Sequence, residues 1–174
     1  MSSSASNARS ESWVKPIVNV VVACASAAEI PASLNIVLPF DSESGALIYT
    51  QNAAGSVFGG DRLRTDLHLE DDVSVCISTP SATRIQGNGL AAQTTHIKLG
   101  RGAFIESIPD MIIAHPKAVY RQETHIDLAE GAEAILGESI APGRVARGEE
   151  YVYDAVSRYW STRRRLGRAK RARR

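Results

Sequence analysis

Residues 97–105, Ile97-Lys98-Leu99-Gly100-Arg101-Gly102-Ala103-Phe104-Ile105, carry the pattern on which the fold turns. Two short apolar runs flank a three-residue polar turn, the signature of a strand–turn–strand unit. The same pattern lies on either side. Upstream, Leu63, Leu67 and Leu69 share one face of an alternating segment, Glu70-Asp71-Asp72 makes the turn, and Val73, Val75 and Ile77 alternate after it. Downstream come Ile126-Asp127-Leu128, Ala129-Glu130-Gly131, and Ala132 to Leu136. The anchoring leucines Leu69, Leu99 and Leu128 are 30 and 29 residues apart. Three such units at a near-constant period predict stacked hairpins in a repetitive β architecture.

Working outward, Lys117 to Leu128 is the plainest strand. Ala118, Tyr120, Gln122, Thr124, Ile126 and Leu128 fall on one face, and Lys117, Val119, Arg121, Glu123, His125 and Asp127 on the other. That period of two predicts a half-exposed sheet. Residues 123–136 are rich in Ala, Glu and Leu and admit a helix, but Gly131 and the alternation favour strands. Ile17 to Ala25 is valine-rich and reads as a strand, as does the short run Leu34 to Leu38. Turn signals at Gly55, Gly59-Gly60, Gly87-Asn88-Gly89, Pro109, Pro116 and Pro142-Gly143 separate the runs. The expected fold is all-β: stacked β-sheets built from repeated strand–turn–strand units, with at most one or two short helices. Residues 1–12 read as a disordered N-terminus, 13–156 as a β domain, and 157–174 as a basic, disordered tail.

Charge divides the chain. Its net charge is +1, yet residues 158–174 hold eight arginines and one lysine and no acid, leaving 11 basic against 19 acidic residues elsewhere. The body is therefore acidic. The tail, with Tyr159 and Trp160, admits a nucleic-acid-binding β protein as the alternative function, since arginines would meet phosphates and the rings would stack on bases. Cys24 and Cys76 have no zinc-like spacing; they read as reduced core thiols or one disulfide, with the ready burial of free thiols favouring the first. The longest apolar stretch, Ile17 to Ala28, is too short for a membrane-spanning helix, and Pro16 and Asn19 count against an export signal.

No catalytic constellation stands out. Gly55 to Asp61 is glycine-rich but lacks the Gly-Lys-Ser/Thr end of a phosphate loop. It reads as a turn, with Asp61 bonding the turn backbone. His68, His96, His115 and His125 show no ligand spacing, although the three nearest the repeat turns could converge in space. No metal ligand set can be assigned. Arg144, Arg147, Glu149 and Glu150 form a loop that is either a solvated turn or a recognition loop in which arginines clamp partner carboxylates.

From about Tyr49 to Tyr153 the chain resembles the UreD/UreH family of urease accessory proteins. The resemblance rests on YTQNAAGSVFGGDRL (49–63), STPSATRIQ (78–86), AAQTTHIKLGRGAFIESIPDMII (91–113), AVYRQETHIDLAEGAEAILGESIAPGR (118–144) and ARGEEYVYD (146–154), in order. It implies a mainly β fold and no catalysis. It implies a scaffold in the nickel-insertion complex that matures urease. The implied partners are the urease apoprotein, a UreF-type helical accessory protein and a UreG-type GTPase. The implied location is cytoplasmic, with no nucleic acid, no membrane and no tightly bound cofactor, Ni2+ being in transit. Gly59-Gly60-Asp61 matches the family's turn motif, Glu106 and Pro109 its Glu-x-x-Pro element, Gln122 a strand glutamine, and Glu138, Gly143, Arg144, Gly148 and Glu149 its last element. The roles this implies are turn formation, internal polar pairing and the lining of a nickel route, with Asp61, Glu106 and Glu138 as the route's carboxylates. The family usually runs longer, and the change of pattern after Asp154 resembles a truncated or frame-altered end.

Overall fold

The structure is a computed structural model, and it describes residues 18–25, 34–42 and 45–165. The described residues form a solenoid of four rungs, each giving one strand to each of three sheets. The first rung holds β3 (Gly45–Asn52), β4 (Val57–Phe58) and β5 (Arg62–Leu69). The second holds β6 (Ser74–Ser78), β7 (Thr83–Gln86) and β8 (Leu90–Leu99). The third holds β9 (Phe104–Ser107), β10 (Ile112–Ala114) and β11 (Val119–Leu128). The fourth holds β12 (Glu133–Leu136), β13 (Ile140–Ala141) and β14 (Ala155–Arg164). Equivalent strands pair in parallel, while β1 (Val18–Ala25) and β2 (Leu34–Ser42) join antiparallel at the first rung, on β5 and β3.

All-β stacking is thus found, with one 3-10 turn, Val145–Arg147, as the helical content among the described residues. The strand–turn–strand units are not hairpins. The two strands flanking each turn enter different sheets, and each pairs with its counterpart one rung away. Hydrogen bonds explain the preference. Gly100 N donates to the Leu69 carbonyl at 2.9 Å, Ala129 N to that of Leu99 at 3.1 Å, and Arg165 N to that of Leu128 at 2.7 Å. Leu69, Leu99 and Leu128 therefore stack in register. A hairpin would have paired Leu69 with Val73; instead both reach one core from two sheets.

The alternation of β11 is confirmed: Tyr120, Gln122, Thr124, Ile126 and Leu128 are buried, and Ala118 just before the strand is buried with them. Two apolar clusters fill the bore. One joins the leucine stack to Val75, Ile105 and Ala132; the other gathers Val57, Leu63, Ile85, Ala114 and Tyr120. Cys76 is not a core thiol. It alternates with buried Val75 and Ile77 and is a free, half-buried thiol on the outer face of β6, its acidity weakened by burial and by Glu106. Cys24 lies in β1, whose side chains are outside the described ones.

The reading of residues 157–174 as a disordered tail is corrected in part. Ala155–Arg164 is a ten-residue strand in parallel register with β11, from Val119↔Ala155 to Leu128↔Arg164. The arginines concealed the strand, in which no residue is fully buried. The 1–12 reading, the start of the β domain and residues 166–174 lie outside the described residues.

Rung stacking makes a substitution test direct. Leu69→Ala, at a position 0 % exposed, should cost about 2–5 kcal/mol by lost transfer energy and a cavity. Ile135→Ala, at 52 % exposed, should stay within about 0.5 kcal/mol. Urea unfolding monitored by circular dichroism measures both.

Candidate functional site

Because rungs stack in register, inward residues form columns along the bore. One column runs Leu63, Gln93, Gln122, Arg158, and the next runs Thr65, Thr95, Thr124, Trp160. The first column gains polarity from the first rung to the fourth, and the second is threonine until Trp160; both lie between the two apolar clusters. A cavity of about 160 Å³ follows this polar stretch. Thr65, Gln93, Thr95, Tyr120, Gln122 and Glu138 are among its lining residues.

Its polar groups are held in place by one another. Tyr120 Oη donates to Gln93 Oε1 at 2.8 Å. Burial, with Glu138 nearby, pushes the phenol well above its ordinary range, so it stays protonated. Glu138 sits at the corner between β12 and β13. Backbone bonds Gly137 N to Ser107 O (3.0 Å) and Ile112 N to Ser139 O (2.8 Å) pin that corner. Both Glu138 carboxylate oxygens are engaged: Oε1 accepts from Gln122 Nε2, and Oε2 from Arg158 at 3.0 Å. The Glu138 side chain is 8 % exposed, and that of Arg158 33 %. Burial raises the Glu138 carboxyl above its ordinary value, and Arg158 opposes the rise. Gln122 Oε1 is buried and has no hydrogen-bond partner, an orphan acceptor beside a carboxylate.

These groups offer oxygens, a carboxylate among them, and no activated nucleophile. Among the described residues no group of three or more His, Cys, Asp and Glu is placed to hold a metal ion. A partly hydrated divalent cation could touch Glu138 and the Gln122 carbonyl, but the donors suit passage better than retention.

The structure brings Gln122 and Glu138 together and separates the other anticipated residues. Asp61 is 2 % exposed at the β4–β5 turn, where its Oδ2 accepts from Phe58 N at 2.8 Å, the turn role expected of it. Gly59 and Gly60 precede it for steric reasons: a Cβ on Gly59 would lie 2.0 Å from the Asn88 carbonyl oxygen, and Gly60 has φ +99°. Glu106 does not line the bore. It lies on the outer face of β9, opposite buried Ile105 and in register with Cys76. Asp61, Glu106 and Glu138 thus do not form one carboxylate route. Arg144 and Glu149 pair through two hydrogen bonds of 2.6 and 2.7 Å and close the loop after β13. Burial and the nearby Arg144 push the His115 imidazole below its ordinary value.

Of the histidines near the turns, His96 and His125 stack on the outer face with ring centroids 4.8 Å apart, and His125 Nδ1 lies 2.7 Å from Ser161 Oγ. His68 is in register with Lys98 instead. Sequence reasoning missed Gln93, Tyr120, the threonine column and Arg158. The signal was present: Thr65, Thr95 and Thr124 repeat at the same 30- and 29-residue spacing as the leucines.

The family model described as UreD urease accessory protein matches residues 25–171. The chain is 33% identical over 144 residues to a urease accessory protein UreD of Haloarcula marismortui, covering 80% of this chain and 47% of the relative. It is 38% identical over 124 residues to the namesake of Trichormus variabilis (69% and 44%), and 35% identical over 113 residues to that of Cenarchaeum symbiosum (64% and 40%). The chain spans less than half the length of each of these relatives. No helix among the described residues is long and apolar enough to cross a membrane.

The Glu138 shift has a sign that can be checked. Its folded value lies above the unfolded one, so the folded chain binds the proton more tightly. Stability should therefore fall as pH rises from the ordinary glutamate value through the raised one. That component should vanish in Glu138→Gln, as the difference between the two urea-unfolding curves taken across pH 4 to 7 (about the range in which such groups titrate). Tyr120→Phe, which strands Gln93 Oε1, should cost about 1–2 kcal/mol in the same assay.

Proposed function

The chain belongs to the UreD family of urease accessory proteins, and from that membership we propose that it serves the maturation of urease as a non-enzymatic scaffold of the nickel-insertion complex. Its partners on this reading are the urease apoprotein, a UreF-type helical protein and a UreG-type GTPase, meeting in the cytoplasm. GTP chemistry stays with the GTPase partner. Ni2+ is cargo here, not a resident cofactor.

One observation carries the nickel part of the reading. Between its two apolar clusters the bore has a polar stretch, and there a buried carboxylate lies beside an unpaired amide oxygen. Such a stretch costs stability, since buried polar groups are favourable only when fully paired. A row of hydroxyls, amides and one carboxylate suits a cation that keeps part of its water and exchanges quickly. Gln122 and Glu138 are the residues assigned to that route. Asp61 and Gly60 shape a turn, Arg144 and Glu149 hold the loop after β13, and Glu106 presents a carboxylate on an outer face.

Among the described residues of the basic stretch, three arginines already face carboxylates. Arg158 bonds Glu138, and Arg163 and Arg165 face Asp127 at 3.9 and 3.4 Å.

Co-expression with the urease subunits and the other accessory proteins tests the proposal. Urease nickel content should rise when the chain is present. Glu138→Gln and Gln122→Leu should lower it severalfold without loss of folded protein. Equal nickel with and without the chain would remove the maturation role.

A further inference from the structure

The loop that joins β13 to β14 has no part in the bore, yet it is built to hold its shape. Arg144 and Glu149 bond across it through two hydrogen bonds, Tyr151 N donates to the Pro142 carbonyl at 2.5 Å, and Lys117 N donates to that of Val152 at 3.2 Å. Gly143 packs against the Glu149 carbonyl, where a Cβ would lie 2.3 Å from the oxygen.

This rigid loop presents apolar and cationic groups to solvent. Val145, Tyr151 and Val152 are 51, 68 and 43 % exposed, and Tyr151 is held at φ +54°, where a bulky residue is strained. Arg147 is exposed on the same loop. Arg84 is exposed beside it: on β7 it lies in register with Ile113 and Ala141, and the loop begins after Ala141. His115 links the two, its N–H bonded to the Ile85 carbonyl at 3.0 Å and its imidazole pushed down by burial and by Arg144, Arg84 and Arg147 together. Glu149, which opposes them there, is taken by Arg144. Among the described residues Arg84 and Arg147 pair with no carboxylate.

We propose that this loop, together with Arg84, is a docking surface for an acidic segment of a protein partner, Arg84 and Arg147 clamping its carboxylates and Tyr151 packing on its apolar side chains. The inference rests on the scaffold reading, which supplies the partners, and not on the cation route. Charge complementarity chooses the occupant. Outside residues 158–174 the chain has 11 basic against 19 acidic residues, so two unpaired arginines on one corner are a local exception that attracts a negatively charged partner. Planar guanidinium groups match carboxylates. Arginine and tyrosine are enriched at the centres of protein–protein contacts, whereas a phosphate backbone offers nothing to bury Val145 and Val152 against. A loop already fixed in shape loses little entropy on binding.

The test is co-expression of the tagged chain with the urease subunits and the UreF-type and UreG-type proteins, each co-purifying partner being quantified. Recovery of one partner should fall about tenfold in Arg147→Glu and in Arg84→Glu, the loss of a central contact arginine. Arg147→Lys, which keeps the charge without the planar fork, should fall between. Tyr151→Gly, which removes the ring at a φ that glycine adopts freely, should lower recovery severalfold. Arg64→Glu removes the same charge from exposed β5 and should leave recovery unchanged. Full recovery with both Arg147→Glu and Arg84→Glu, or an equal loss in Arg64→Glu, overturns the docking surface and leaves the scaffold standing. If the unsubstituted chain recovers no partner, the scaffold reading and the docking surface fall together.

Discussion

In-register stacking of rungs is the constraint on which the rest of the structure depends. Each strand satisfies its backbone groups with the equivalent strand one rung away, so residue n meets residue n plus 28 to 30, or n plus 36 between β11 and β14, and little else along that direction. Whatever the sequence repeats at that spacing becomes a column. Repeated leucine gives a dry stack, with Leu69 and Leu99 almost wholly buried. Repeated acid and arginine at the turns give Asp71 bonded to Arg101 through three hydrogen bonds. That exposed pair depresses the Asp71 carboxyl yet contributes little stability, being screened by water.

The same constraint explains how a polar passage can exist inside a β core. Threonine and glutamine at two repeated positions stack as readily as leucine does, because register is fixed by the backbone and not by the side chain. The columns then meet groups outside them: Tyr120 comes from the same strand as Gln122, Glu138 comes from the corner between the other two sheets, and Arg158 closes the glutamine column. The result is a network nearly paired but one acceptor short, at Gln122 Oε1. An orphan of this sort costs about 1–3 kcal/mol, a sizeable share of the stability of an ordinary domain.

Much of the fold was legible in advance, and for identifiable reasons. The 30- and 29-residue spacing of Leu69, Leu99 and Leu128 announced a repeat, and the alternation of 117–128 announced a half-buried strand. Pairing direction was not legible, because a strand, a tight turn and a strand look the same in a hairpin and at a solenoid corner. β14 was hidden for a related reason. Arg158, Arg163 and Arg164 suggest a solvated tail until β11 is seen to supply the hydrogen-bonding edge they pair with. The resemblance to the UreD/UreH family pointed to Gln122 and Glu138, but it grouped them with Asp61 and Glu106, which the fold places in a turn and on an outer face.

The sequence by itself determined local character: strand periodicity, turn chemistry, the repeat, the acidic body and family membership. These follow from rules that act over a few residues or over a fixed period. The tertiary structure alone decided which strands pair, which faces turn inward, and that Gln122 and Glu138 meet in one cavity with Arg158 bonded to Glu138. Gln122 and Arg158 are 36 residues apart in the chain, and Glu138 reaches them from a corner between two other sheets. Their meeting depends on the number of residues each rung takes to close, a sum over many loops that no local pattern encodes.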